Sequence, residues 1–351
     1  MFVTQSLEGG SCGRRFGERN VTKETGVLDL PTTCAAIADT DGHGDHPGAR
    51  GQTIQLKDVK KTLPFRVLSE ADWRHWIIKG FVVVPGAVPR QQCDAVAEML
   101  WRFLEMDPAD PATWYKPQLR EHKMTELNNT GMVEVYNHQS LWDTRQNRRV
   151  YDAFVDIWDR EDLWVAIDRA NLNPPNRQAR AERRSGGFIH FDIDVSQRPL
   201  PVAVQGVLSL RKQGGEIGGF QCVPSVFADI DDWWAKQPAG ANPFKPDVTG
   251  HVIENIELDA GDLLIFNSQL PHGVRPNISE HDVRMAQYIS MFPAGFDNEE
   301  LRQARITTWA DQTHPIGVPF PGDPRAFEKH NFAVAELDPL GRKLLGLDPW
   351  G

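Results

Sequence analysis

The side chains best suited to chemistry in this chain are His190-Phe191-Asp192 and, far downstream, His272 in Leu270-Pro271-His272-Gly273. Two imidazoles and one carboxylate can hold a redox-active metal on one face and leave the opposite face open. This is the donor set with which non-haem Fe(II) centres activate O₂. Residues 187–195, Gly-Phe-Ile-His-Phe-Asp-Ile-Asp-Val, are rich in β-branched and aromatic side chains after a Gly pair, which predicts a strand. Alternate residues of a strand share a face, so His190 and Asp192 can converge on one ion while Phe191 turns into the opposite layer. Asp194 lies on the same face and competes; the closer spacing to His190 favours Asp192. The third ligand must come from elsewhere, because three adjacent strand positions cannot surround a metal. His272 is the candidate. It follows Asp259-Ala-Gly-Asp-Leu-Leu-Ile-Phe-Asn267, a turn and a compact apolar strand, and is expected at or just past that strand's end. Arg284 opens another predicted strand, Arg-Met-Ala-Gln-Tyr-Ile-Ser-Met-Phe292. There it could grip a dicarboxylate through a two-pronged contact that Lys does not reproduce. Arg275, three residues past His272, is its rival.

These residues belong to a longer ordered set. Lys79-Gly80-Phe81-Val-Val-Val-Pro-Gly86 comes first, then His190-Phe191-Asp192 and Gly218-Gly219-Phe220-Gln-Cys-Val-Pro-Ser225. Gly261-Asp262-Leu-Leu-Ile-Phe266, His272-Gly273 and Arg284 follow. From about Leu68 to Pro293 the chain thereby resembles the phytanoyl-CoA dioxygenase-like Fe(II)/2-oxoglutarate oxygenases. The resemblance implies a mainly β protein with flanking helices around a double-stranded β-helix (jelly roll, cupin-like) core. It implies His190, Asp192 and His272 as iron ligands at the catalytic centre, and Arg284 on the distal carboxylate of 2-oxoglutarate. Fe(II), 2-oxoglutarate and O₂ would then oxidise a C–H bond of a small organic molecule, with release of succinate and CO₂. Family halogenases carry a small residue where this chain has Asp192, so the resemblance points to hydroxylation. Further cosubstrate contacts are sought in Ile167-Asp-Arg-Ala-Asn-Leu-Asn-Pro-Pro175, where Arg169, Asn171 and Asn173 alternate on one face. The family commonly has Lys before the Pro-Pro; here Asn173 stands in that place. Gln205 and Ser209, four apart on a predicted strand, can line the interior or equally point outward.

Positioning such a site requires elements around it. Ser69 is suited to cap a short helix over Glu70–Trp76 ahead of a buried strand, Phe81–Val84. Pro89 opens a helix whose Cys93, Val96, Ala97, Leu100 and Leu104 form one apolar stripe. A second helix is expected from about Arg145 to Arg160. Beyond it the period changes to two, predicting strands at about 164–172, 187–195, 202–210, 252–258, 262–267 and 285–292. Strands following helices without β-α-β alternation favour a jelly roll with helices on one side. The tail beyond Pro293 carries several prolines and ends in a short segment read as a helical flap. There is no internal repeat.

The chain has 351 residues, 40% hydrophobic and 25% charged, as in an ordinary soluble globular protein. Residues 1–62 are polar and Gly-rich and read as an extension, with 63–351 as one oxygenase domain. Asp41-Gly-His43-Gly-Asp45-His46 in that extension lacks fixed geometry to preorganise a metal. A net charge of −10 argues against nucleic acid as a partner. No apolar run approaches the roughly 18 residues of a membrane span, and the N-terminal segment lacks a signal-like apolar stretch. Cysteines 12, 34, 93 and 222 have no metal or redox spacing and fit free thiols in a cytoplasmic protein. Arg177-Gln-Ala-Arg-Ala-Glu-Arg-Arg184 reads as a solvated loop or a lid over an anionic substrate. Most of the 11 tryptophans are expected in the core, some lining a substrate pocket. Two rival functions remain: a cupin-like metal enzyme without 2-oxoglutarate, and a non-catalytic jelly-roll binding protein. Retention of all three ligands speaks against the second. Oligomeric state is open.

Overall fold

The computed structural model describes residues 55–115, 131–176, 188–315 and 322–351. Its strands are β1 (Phe81–Val84), β2 (Met132–Val133), β3 (Leu163–Val165), β4 (Ala170–Asn173), β5 (Val204–Ser209), β6 (Gly219–Cys222), β7 (Glu254–Asn255), β8 (Leu263–Asn267), β9 (His272–Arg275), β10 (Arg284–Tyr288) and β11 (Met291–Pro293). Six form a sheet in the order β1-β8-β5-β10-β4-β2, three form another in the order β7-β6-β9, and β11 pairs with β3. Every pairing is antiparallel. The helices are α1 (Glu70–Lys79), α2 (Arg90–Phe103), α3 (Gln139–Arg145), α4 (Arg148–Trp158), α5 (Pro224–Ala228), α6 (Ile230–Ala235), α7 (Glu299–Asp311), α8 (Phe327–Asn331) and α9 (Pro339–Leu345). None of the described helices is long and apolar enough to cross a membrane.

Strand register assigns the two faces of the six-stranded sheet, because directly opposed residues point to the same side. Val82 and Val84 face outward with Ile265, Leu263, Val204, Leu208, Leu172 and Met285. That side packs on the helices, including Val96, Leu100, Phe154 and Trp158. Phe81, Phe266, Leu264, Val207 and Ala286 occupy the other side, against Phe220 and Cys222 of the second sheet. Each such Leu, Ile, Val or Phe contributes about 1.5–3 kcal/mol when fully buried. Trp76, Trp142, Trp158 and Trp164 are all fully buried in the helix-side core.

Helix α1 begins at a capping box in which Ser69 and Asp72 satisfy each other's backbone N–H, and Gly80 ends it at φ +78°. The α2 stripe is buried as its spacing predicts. The helix expected over about 145–160 is α4, which the Asn147 side chain starts by accepting from Arg149 N, and a separate short helix, α3, precedes it. The strand expected at 164–172 divides into β3 and β4, and that at 285–292 into β10 and β11. Both breaks fall at one place, where Ala166 N donates to Ser290 O (2.8 Å) as the paired chains pass between sheets. The expected 252–258 strand shrinks to β7. Helix α7 was not expected: its buried positions are Arg305 and Thr308, and Arg305 donates to the carbonyls of Val165, Leu344 and Leu345. The last residues of the expected extension are pinned to the core, with Leu56 fully buried and Thr62 N donating to Asp159 Oδ2 (2.7 Å).

Glu328 of α8 is buried and accepts the backbone N–H groups of Tyr136 (2.9 Å) and Asn137. Burial outweighs those donors and pushes its carboxyl up to about 7. In the unfolded chain an ordinary Glu ionises near 4.3. Its favourable contribution is therefore complete below the unfolded value and lost as pH rises through about 7. Between pH 4.5 and 7.5 the stability difference between wild type and Glu328→Gln should move in the variant's favour by on the order of 3 kcal/mol. Urea unfolding at both pH values reads this directly, and a pH-independent difference would refute it.

Candidate metal centre

His272 is the first residue of β9, not an overhang of the preceding strand. It faces Cys222 of β6 on one side and, through a single β-bridge, His190 on the other. His190 N donates to His272 O (2.8 Å), and His272 N donates back to His190 O (3.0 Å). Opposed residues turn their side chains the same way, and the two imidazole centroids lie 4.5 Å apart. Backbone pairing thus joins two histidines that are remote in sequence.

The strand expected over 187–195 is not formed in its described part. His190 alone makes a ladder pair there; the next amide, Phe191 N, donates to Phe244 O (3.0 Å), and the chain bends at Asp192. The in-out alternation survives nonetheless. Phe191, Ile193 and Val195 are buried with Val223, Val226 and Ile230, and Asp192 turns to the imidazoles. Asp194 Oδ1 accepts from Ser196 N (2.9 Å) and Oγ (2.5 Å), closing a turn that takes its carboxylate away from the cluster.

Asp192 Oδ1 lies 3.1 Å from His190 Nε2, and Oδ2 lies 3.3 Å from His272 Nε2. The three donors fall within 4.8 Å of one another, the only such cluster of metal-binding type among the described residues. Ligands about 2.1 Å from an octahedral ion sit about 3 Å apart at adjacent corners, so this donor set suits a divalent transition metal. The surroundings also prepare the donors. His272 Nδ1 donates to Leu270 O (3.0 Å), which fixes the ring so that Nε2 is the atom turned towards Asp192 and available to a metal. Gln205 Nε2 donates to Asp192 Oδ2 (2.6 Å). Gln205, a candidate for cosubstrate contact if it lines the interior, does face the site and braces the carboxylate. Burial opposes ionisation of Asp192, but the imidazoles of His272 and His190 outweigh it and hold the carboxyl well below the usual range. The Phe220 ring stacks on His272 at 5.7 Å and Phe266 approaches it at 4.4 Å, so this imidazole is 6% exposed.

Gly273 is needed for this approach. A Cβ at that position would overlap the carbonyl oxygen of Phe188 and crowd its carbon, in the backbone leading to His190. Gly273→Ala should therefore force the His190 segment away and weaken Fe(II) binding by about 10–100-fold, as loss of ligand support does elsewhere. An anaerobic Fe(II) titration checks this, and unchanged affinity would refute it.

On the same inner face, Arg284 of β10 opposes Asn173 of β4, and its Nη2 donates to Asn173 Oδ1 (2.8 Å). Arg284 is 6% exposed, its Nε has no partner, and no described carboxylate pairs with it. Burial accordingly pulls its pKa down. Asn171 donates Nδ2 to Tyr288 Oη (2.7 Å) and accepts Ala286 N (3.2 Å). Arg169 is paired with Asp168 (3.3 Å), so its charge is met within the chain. Arg275 has the opposite strand parity to His272 and donates to Gly215 O (3.2 Å), which removes it as a rival to Arg284. Ser209 Oγ donates to Arg211 O (2.6 Å). The segments Asp41–His46 and Arg177–Arg184 lie outside the described residues. Sequence reasoning overlooked Tyr288, although its spacing of four from Arg284 on a strand puts both on one face.

No family model matches the chain. It is 23% identical over 268 residues to a Dictyostelium discoideum protein named "Putative phytanoyl-CoA dioxygenase", covering 64% of this chain and 76% of that one. It is also 23% identical over 258 residues to Ava biosynthesis cluster protein O of Aspergillus versicolor, covering 67% and 81%. Among solved structures, the "Putative Oxidoreductase" of Salmonella typhimurium LT2 superposes with a TM-score of 0.57. That match is 16% identical and covers 80% of this chain and 83% of the other, a likeness of fold.

Proposed function

We propose that this chain, a relative of the phytanoyl-CoA dioxygenase-like Fe(II)/2-oxoglutarate oxygenases, hydroxylates a C–H bond of a small organic molecule. One observation carries the reading: a His-Asp-His donor cluster opens onto the same interior as a buried arginine that has no acidic partner among the described residues. His190, Asp192 and His272 would hold Fe(II), and Arg284 would take the distal carboxylate of 2-oxoglutarate. Iron held there supplies O₂ activation, coupled to oxidative decarboxylation of the 2-oxo acid to succinate and CO₂.

The chain's own residues do the rest. Leu270 O and Gln205 orient His272 and Asp192 so that their donors converge before the metal arrives. Phe220 and Phe266 wall one side against water, which strengthens each charge interaction inside. Arg284 can form two parallel hydrogen bonds to a carboxylate and so fixes the direction from which the cosubstrate reaches the centre. The strand order β4-β10-β5-β8 opposite His190-β9-β6-β7 supports a double-stranded β-helix core within one domain, 63–351. The A. versicolor relative's name supports a specialised metabolite as substrate.

The test is succinate release from 2-oxoglutarate across candidate metabolites, with His190→Ala as the blank. Substrate-stimulated release by the wild type alone supports the proposal. Equal release by the blank refutes the assigned metal site, and substrate turnover without 2-oxoglutarate refutes the cosubstrate.

A further inference from the structure

We propose that Phe188 is the substrate platform of this centre: a neutral molecule with a flat ring system lies on its open face and is brought there to the metal. The inference rests on the oxygenase reading above and names the class of molecule that the site takes.

Exposure carries the argument. Among the described residues, the large hydrophobic side chains that stand in water are Ile78, Phe188, Phe244, Val252, Ile253 and Val334. Two of these border the metal-bearing segment. Phe188, 65% exposed, lies two residues before His190, and the carbonyl of Phe244 accepts Phe191 N (3.0 Å). The Phe188 ring stacks on the His190 imidazole, with centroids 4.9 Å apart and planes inclined by 30°. One face of the ring thus covers a metal ligand, and the other is open. The three ligands are unequally covered, with side-chain exposures of 29% for His190, 15% for Asp192 and 8% for His272. Phe220 and Phe266 close the His272 side. The approach is therefore from the His190 side, where the open ring stands.

The ring is also held in place. Phe188 O lies so close to Gly273 that any side-chain carbon there would collide with it. Two residues on, the backbone of His190 is bonded in both directions to His272. A platform fixed before its ligand arrives loses little freedom on binding.

Shape and charge say what it receives. An aromatic face gains more from an offset or edge-on ring than from burial of the same apolar area alone. The charged groups that follow the ligands in the chain are already met, Asp194 by Ser196 and Arg198 by Asp231 (3.0 Å). Neither is left to hold an ionic headgroup. A flat, neutral ring system matches what is exposed.

The test titrates the protein loaded with Fe(II) and 2-oxoglutarate, under argon, with two probes of one carbon skeleton. These are 2-naphthylmethanol, which is flat, and its saturated counterpart decahydro-2-naphthylmethanol, which is not. Wild type should bind the flat probe about fivefold more tightly, within the range of an aromatic pair. Phe188→Leu keeps an apolar side chain without the ring, and it should weaken the flat probe about fivefold while leaving the saturated probe within about twofold. Phe188→Trp should restore the preference, and Fe(II) affinity should be the same in all three proteins. Wild type that binds the two probes equally, or binds neither, would overturn the inference, as would a flat probe held undiminished by Phe188→Leu. Fe(II) affinity that falls in Phe188→Leu would make the ring a support for His190 instead. Wild type that fails to bind 2-oxoglutarate would remove the cosubstrate reading, and the probe titrations repeated with Fe(II) alone read the platform separately from it.

Discussion

Asp192→Ala is expected to lower Fe(II) affinity by more than about 100-fold and to bring succinate release down to the level of the His190→Ala blank. Replacing residues that merely support metal ligands commonly costs 10–100-fold, so loss of a donor sets a lower bound there. Asp192 is the only anionic donor of the cluster, placed between the Nε2 atoms of His190 and His272. Two imidazoles alone hold a hard divalent ion weakly. The variant also leaves Gln205 Nε2 with only Ser268 Oγ, at 3.4 Å. Asp192→Asn separates charge from shape, since it keeps an oxygen and similar size without the negative charge. It should bind Fe(II) more weakly than wild type and more tightly than the alanine variant. Metal that binds only the folded state raises the melting temperature. Wild type should therefore show an Fe(II)-dependent rise, and Asp192→Ala none. Undiminished affinity in the alanine variant would show that iron is held somewhere else.

What the sequence made legible follows from where the deciding contacts lie. Strands β1 and β8 are compact apolar runs, and their neighbours in space agree with their local pattern. The α2 stripe is likewise a local signal. The breaks at Ala166–Arg169 and Ile289–Ser290 carry no Gly or Pro to mark them, so nothing local shows that the chain changes sheets there. The His190 segment misleads for a related reason. Its alternation is that of a strand, yet past His190 no described strand pairs with it, so side-chain parity holds without a ladder. Helix α7 hides because its buried face is made of Arg305 and Thr308 and is held by hydrogen bonds to carbonyls, a pattern with no hydrophobic period. Gln205 was recognised as an interior candidate, but its partner Asp192 comes from another segment. Only the folded geometry shows that it braces that carboxylate.

Arg284→Met should produce two effects of opposite sign. Binding of 2-oxoglutarate should fall by more than about 100-fold, because a desolvated charge pair is worth several kcal/mol and removing one member leaves the other unmet. The metal- and cosubstrate-free protein should be no less stable than wild type. Arg284 is buried, its Nε has no partner, and its hydrogen-bond acceptor is the neutral Asn173. An uncompensated buried charge opposes folding, whereas Met of similar length packs without that cost. Residues that aid the fold and residues that serve a ligand differ in this respect: the first lose stability on replacement, and the second can gain it. Urea unfolding of the apo proteins, set beside 2-oxoglutarate titration of the Fe(II)-loaded forms, reads both effects. A variant that loses apo stability by several kcal/mol would make Arg284 a structural residue. One that binds 2-oxoglutarate as wild type does would remove it from the site. Loss of affinity without loss of stability is what an arginine held in reserve for an incoming carboxylate requires.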